Sequence, residues 1–543
     1  MNIISKIVIV LALLFAVQSN SQITTVKYNS NVATSIPKWE VVDITISTKS
    51  NSKTPFTARF GAFFTHQNGT KQEVPGFYNG NNEWVIRFSS SLEGEWTYVT
   101  FADDKALDNK KGKVNVTKNK ADNHGGIVIN KDKPQNFFYQ DGTPYFLLAF
   151  ECDWLYALDY KNDKATPKSD HLLNLIKENG FNQVVMNVFS YDVSWKKDPK
   201  LKLHPEHEFG GPDDIYPFLG NNIKPDFSAL NPEFFKKLDR TISLMHDKRI
   251  ASHLMIYVWN KMVKWPDMNT DADNMYFDYV IKRYQAFPNV VWDISKEALF
   301  YGRADDKYIN DRIVRARSND KFNRLLSVHD FKFCSKYPEN VDFISTQDWS
   351  DNLYNKMLEA KNKFKKPVFN IEHGGYEESP YEVFTGDYVN AEHCLRRNYM
   401  CLFAGVYTTY YWQGTSWNAI IYNPYEQPAD FIKPHFEYFK QMEKLFNIVD
   451  FDKMKPTPNK NGSAYNLTSE DGNITFMYVN KENYGFDAWH LQQEHGERTF
   501  QWFNTITGEL TPEVEKKPAG KFISPWSSKA DSILISRLKA KKT

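Results

Sequence analysis

The sequence predicts an α/β fold: a (β/α)8 TIM barrel flanked by N-terminal and C-terminal β-sandwich domains. Three observations carry that expectation. Short alternating runs, broken by Asn, Gly and Ser, fill the first hundred residues and return after about residue 450, as in half-buried antiparallel strands. Between them, apolar runs alternate with longer segments of helical period, the pattern of parallel βα units. Eight such runs can be counted, and eight strands close a barrel. The expected divisions are 1–21, a signal peptide; 22–118, an N-terminal β-sandwich; 119–450, the barrel; and 451–543, a C-terminal β-sandwich.

Taken in order, the chain opens with Lys6 and an apolar run over 7–17, followed by Gln18-Ser-Asn-Ser-Gln22. One basic residue, a short apolar stretch and small residues predict cleavage after Ser21 and a secreted or periplasmic product. The run is shorter than the roughly 20 residues that span a bilayer, so no membrane insertion is expected. Strand-like text follows over 41–47, 58–64, 84–88 and 94–101. The barrel strands are expected at 145–150, 183–187, 250–257, 290–294, 325–329, 343–347, 367–371 and 405–411. A helix over 170–179 is closed by Gly180, and another over 232–247 starts on Pro232, where the missing N–H costs nothing. The second sandwich is read from 474–479, 498–503 and 532–536.

Composition narrows the function. The 67 Lys plus Arg nearly cancel the 66 Asp plus Glu, for a formal charge of +1, so no global field recruits nucleic acid. Aromatics make up 15% of the chain, including 14 Trp and 30 Tyr, which suits both large cores and the stacking of sugar faces. The four cysteines show no C-x-x-C spacing, and no metal or other cofactor is called for. The sequence does not bear on oligomeric state.

Active sites of such barrels lie at the carboxyl ends of the strands. Glu297 ends Asn289-Val-Val-Trp-Asp-Ile-Ser-Lys-Glu297 after strand four, and Glu372 ends Lys366-Pro-Val-Phe-Asn-Ile-Glu372 after strand seven. Period-two alternation puts Asp293, Ser295 and Glu297 on one side of the fourth strand. Two acids at a barrel mouth match the needs of glycosidic cleavage, one to protonate the leaving oxygen and one on the far side of the sugar. A buried ion pair, for instance with Arg396 or Arg397, is the competing reading of either Glu.

These motifs resemble the retaining glycoside hydrolases of clan A. Over nearly its whole length, the chain is also similar to bacterial polysaccharide-degrading proteins with an N-terminal sandwich, an apiosidase-like barrel and a terminal domain of the collagen-binding type. Gln501-Trp-Phe-Asn-Thr-Ile-Thr-Gly-Glu509 resembles the text of that last domain. The resemblance implies a hydrolase with Glu297 as acid/base and Glu372 as nucleophile, the carboxyls about 5–5.5 Å apart. Lys296 stands where the clan usually has Asn, which leaves Asp293 as the reserve acid.

Other strand-end residues are expected to bind a polysaccharide or oligosaccharide substrate: Asp153, Trp154, Asn187, Tyr257, Trp259, Lys296, His329, Gln347 and Trp412. Lys261, Lys264 and Lys296 suggest that the sugar is anionic. His204-Pro-Glu-His207 holds potential metal ligands, but Pro205 interrupts helical spacing, so a solvated loop is favoured. The long stretch from Trp195 to Asn222 is a candidate lid. Two further functions stay open: a non-catalytic carbohydrate-binding or adhesion protein, and a polysaccharide lyase using His329, His373, Tyr191 or Tyr257 on a uronate.

Overall fold

A computed structural model of the chain describes residues 23–539, apart from 29–32, 210, 212–213, 260–261, 384–387, 459–463, 484, 488–496 and 516–520. The expected signal peptide and Lys261 lie outside the described residues. Eight parallel strands form the central sheet: Leu148–Glu151, Gln183–Asn187, Ala251–Val258, Val290–Lys296, Leu326–His329, Ile344–Gln347, Val368–Glu372 and Tyr407–Tyr410. Numbered in that order, they run 5-4-3-2-1-8-7-6 around a nearly closed barrel. At the seam between strands five and six, Ser327 Oγ bonds the Phe343 carbonyl at 2.8 Å and Ser345 Oγ at 3.0 Å.

Strand three is buried along its whole length, as expected where helices cover a parallel sheet. Several helices begin where side chains take up their free N–H groups: Asn231 caps Pro232–Asp247, Thr270 caps Asp271–Tyr284, and Asp305 caps Asp306–Asn319. The helix expected from residue 170 starts earlier, at Pro167, with the proline in the first turn. Strand one starts later than expected because Tyr145 N bonds the Phe137 carbonyl, which draws residues 137–145 into a separate turn. Strand eight starts at Tyr407 because left-handed Gly405 closes the helix Ala391–Phe403.

The N-terminal sandwich packs a four-stranded and a five-stranded sheet around Ile44, Phe64, Trp84, Phe88 and Trp96. It meets the barrel through a buried ion cluster. Arg87 binds Asp43 bidentately at 2.7 and 2.8 Å and also reaches Asp239, which binds Arg283 at 2.7 and 2.8 Å.

The C-terminal region is one six-stranded antiparallel sheet with a two-stranded ribbon. Both faces of the sheet are apolar: Met477, Phe500 and Leu534 pack with Phe522 of the ribbon, and Phe476, Tyr478 and Ile533 join the barrel core. The barrel therefore covers one face of this sheet. All four cysteines are buried and free, and among the described residues no helix is long and apolar enough to cross a membrane.

Candidate active site

Glu372 is the last residue of strand seven and is buried against strands four, five and six. Its Oε1 pairs with the Lys296 ammonium, and His329 Nε2 lies 3.7 Å away. Its Oε2 accepts from Gln347 Nε2 at 2.6 Å and from the Tyr376 hydroxyl at 3.3 Å. Gln347 Nε2 also donates to Glu297 Oε1 at 3.1 Å. One nitrogen thus serves both acids, and the two bonded oxygens are separated by less than about 6 Å, the combined bond length.

The fourth strand does not alternate as expected. Its register against strand five shifts between Asp293 and Lys296, and Glu297 adopts φ +56°. A left-handed glutamate costs about 1–3 kcal/mol and tends to persist at functional sites. The turn lets adjacent side chains, Lys296 and Glu297, both reach the mouth. Asp293 lies deeper and is fully buried, one oxygen on His253 Nε2 at 2.9 Å and the other accepting from the backbone of Ser295 and His329. Both its oxygens are engaged, which leaves the reserve acid poorly placed to donate.

Lys296 is also held by Glu151 of strand one, 2.9 Å from its Oε1. Burial lowers the pKa of the ammonium, but Glu151, Glu372, Asp153 and Glu297 together hold it well above the usual lysine value. Burial, offset in part by Lys296 and reinforced by Glu372 and Asp153, pushes Glu151 well above the carboxylate range. Burial and the charge of Lys296 hold His329 down at about 3, so the imidazole is neutral. The anionic-sugar reading loses its best-placed cation, because Lys296 already faces two carboxyls. Lys264 bonds the Ile223 carbonyl.

Tyr376 was absent from the sequence candidates. Gly374 and Gly375, at φ +66° and +67°, turn the chain so that its hydroxyl returns to Glu372. A Cβ on Gly375 would come 2.5 Å from Arg397 Cδ, so the turn excludes other residues on space as well as on backbone conformation. Arg397 binds the carbonyls of His373 and Gly374, and Arg396 binds Asp531 of the C-terminal sheet. Neither arginine is the ion-pair partner of Glu372 considered from sequence.

The remaining sequence candidates divide. Asn187 and Asp153 meet below Lys296, with Asn187 Nδ2 donating to Asp153 Oδ1 at 3.3 Å. Trp154 and Trp412 are fully buried, packed against Phe209 and Phe436. Tyr257 stands apart: its hydroxyl donates to Asp273 on the third helix, and Trp259 stacks on it with ring centroids 5.6 Å apart. Exposed aromatics follow Glu297 three and four residues on, Phe300 and Tyr301, and Tyr301 lies within electrostatic reach of Glu297. Their signal was a Phe-Tyr pair just past a strand end.

Among the described residues, both nitrogens of His329, Asn187 Oδ1, and the side-chain polar atoms of Gln413 and Asn418 are buried without a hydrogen-bond partner. Each such atom costs about 1–3 kcal/mol, so a group of them on strand-end segments is a cost that a hydroxyl-rich ligand can relieve. No cofactor is needed for the chemistry that these groups can perform, which is proton transfer and carboxylate attack at an acetal carbon.

Comparison with known proteins fits this geometry. Residues 131–425 match the family described as apiosidase-like, catalytic domain, and residues 35–103 match a domain of unknown function, DUF5060. No curated protein matches the chain. Among solved structures, a candidate glycoside hydrolase from Bacteroides vulgatus ATCC 8482 is 19% identical and superposes with a TM-score of 0.75, over 93% of this chain and 100% of that one. A glycoside hydrolase family 5 protein from the same organism is 17% identical, with a TM-score of 0.56 over 77% and 95%. At these identities the likeness is one of fold.

Proposed function

The chain belongs to the apiosidase-like family and is a glycosidase, and on that premise we propose a retaining hydrolase of plant or algal polysaccharides or their oligosaccharides. Glu372 attacks the anomeric carbon, and Glu297 first protonates the leaving oxygen and then activates water. The observation that carries this reading is the single Gln347 nitrogen bonded to both carboxylates. Retention calls for carboxyls roughly 5–5.5 Å apart, whereas inversion leaves roughly 6.5–9.5 Å for a water.

The other groups then have defined tasks. The ammonium of Lys296 pairs with one oxygen of Glu372, and Tyr376 and Gln347 orient the other. As the glycosyl-enzyme ester forms, Glu372 gives up its charge while Lys296 stays bound to Glu151. The apolar run near the amino terminus supports export, for which the check is the amino-terminal residue of protein recovered outside the cytoplasm.

The test is product release on plant and algal glycans, including apiosyl glycosides because of the family's name, with reducing ends, ultraviolet absorbance and the anomeric proton signal all followed. Retained configuration, lost in Glu297→Gln and Glu372→Gln, is the expected result. Inverted product would overturn the double displacement, and an ultraviolet-absorbing product would make the enzyme a lyase.

A further inference from the structure

The motif His204-Pro-Glu-His207 lies on the segment after strand two, and its proline is what makes it interesting. In an α-helix, Pro205 would break the spacing of the two histidines. Here it opens a 3-10 turn, Pro205–His207, which directly follows another over Pro199–Leu203. With three residues per turn, positions i and i+3 eclipse each other. The rings of His204 and His207 accordingly stack at 17° with centroids 5.5 Å apart. One donor atom from each, with a carboxylate oxygen of Glu206, all lie within 4.8 Å of one another. Small rotations of exposed Glu206 and half-buried His204 would bring three donors to the roughly 2.0–2.2 Å that zinc requires.

The surroundings resemble a metal site rather than a solvated loop. His207 is buried, and its Nδ1 lies 2.7 Å from the Tyr381 hydroxyl, a partner that fixes the ring as outer-shell groups do for metal-bound imidazoles. Phe431 presents its edge to both imidazoles, at 4.8 and 6.0 Å, and forms an apolar wall.

The position also gives the site a purpose. Ile420 N bonds the His207 carbonyl, and Phe209 N bonds that of Asn418, tying this segment to the one that follows strand eight. Tyr381 comes from the segment after strand seven, and Phe209 packs on Trp154 at 4.3 Å. We propose that His204, Glu206 and His207 bind a divalent transition-metal cation that fastens the segments after strands two, seven and eight at the mouth of the barrel. Two imidazoles and one carboxylate suit Zn2+, with water completing the shell, and the role is structural.

The experiment is calorimetric titration of the full-length, EDTA-treated protein with ZnCl2, beside His204→Ala and Glu206→Gln. Both altered side chains are partly or largely exposed, so unfolding midpoints without metal should match wild type. The expected result is one equivalent bound by wild type, weakened at least about tenfold in each variant, with a midpoint that Zn2+ raises in wild type alone. Equal binding by all three proteins would place the ion elsewhere and overturn the proposal, as would no binding up to about 1 mM. Equal affinity for Ca2+ would overturn the assigned donor chemistry.

Discussion

Arg87, Arg283, Asp43 and Asp239 bury two cations and two anions where the N-terminal sandwich meets the barrel; Lys296, Glu151 and Glu372 bury one cation and two carboxyls at the barrel mouth. In the first cluster every fork is used. Arg283 adds bonds to Tyr279 and Asn79, and Arg87 adds one to the Arg283 carbonyl. In spite of burial, Arg283 and Arg87 hold Asp239 far below the usual carboxylate range. In the second cluster, Glu151 Oε2 and both nitrogens of adjacent His329 lack partners among the described residues. Planar guanidinium forks complete a joint, whereas a lysine point charge leaves lone pairs and room for a ligand. Saturation separates the cluster at the domain joint from the one at the barrel mouth.

The largest effect that would break this contrast is at Glu372. Glu372→Gln should lower kcat/KM by about 10³-fold or more with little change in unfolding midpoint, since the carboxylate lost is the proposed nucleophile. Asp239→Asn should do the reverse. Removing one member of a saturated buried cluster costs about 3–5 kcal/mol in denaturant unfolding, while activity per folded molecule stays unchanged. A loss of activity in fully folded Asp239→Asn would erase the distinction between the clusters.

Lys296→Met sharpens it. Without the ammonium, Glu372 and Glu151 lose the cation that both contact, and kcat/KM at neutral pH should fall by about 10²-fold. Wild-type activity in folded Lys296→Met would remove Lys296 from the working parts of the site.

The smallest effect is on stability against pH. Burial holds His246, near the sandwich, at about 4 and His329, at the mouth, at about 3, both below the unfolded value near 6.5. Between those values the unfolded chain binds more protons, so stability rises with pH and is lost on acidification from pH 6.5 toward 4. Each histidine should contribute about 1–2 kcal/mol of loss by pH 5, and His246→Gln should flatten part of the slope in denaturant midpoints.

Much of the barrel was legible because its strands are buried on both faces and its helices carry their own caps, as with Asn231-Pro232. The meeting of Glu297, Gln347 and Glu372 was legible for a related reason: all three stand at strand ends, which converge at the barrel mouth. The orientation of Lys296 was not. It depends on the register shift against strand five and the left-handed turn at Glu297, neither of which has a glycine to announce it. Tyr376 depends on two glycines whose spacing reads as an ordinary loop. The 3-10 turn at His204-Pro-Glu-His207 was not legible, because Pro205 argues against an α-helix but not against a 3-10 turn.

Alternation, caps and strand ends are local, and the sequence by itself determined with them the barrel, its flanking sheets and the placing of Glu297 and Glu372 at strand ends. Only the tertiary structure decided that Lys296 bridges strands one and seven, that one glutamine nitrogen serves both carboxylates, and that Tyr257 turns to Asp273. These contacts join residues from 16 to 145 positions apart, and most of them exist only once the barrel has closed. Closure is a cooperative outcome of all eight strands, so no single segment encodes which side chains it brings together.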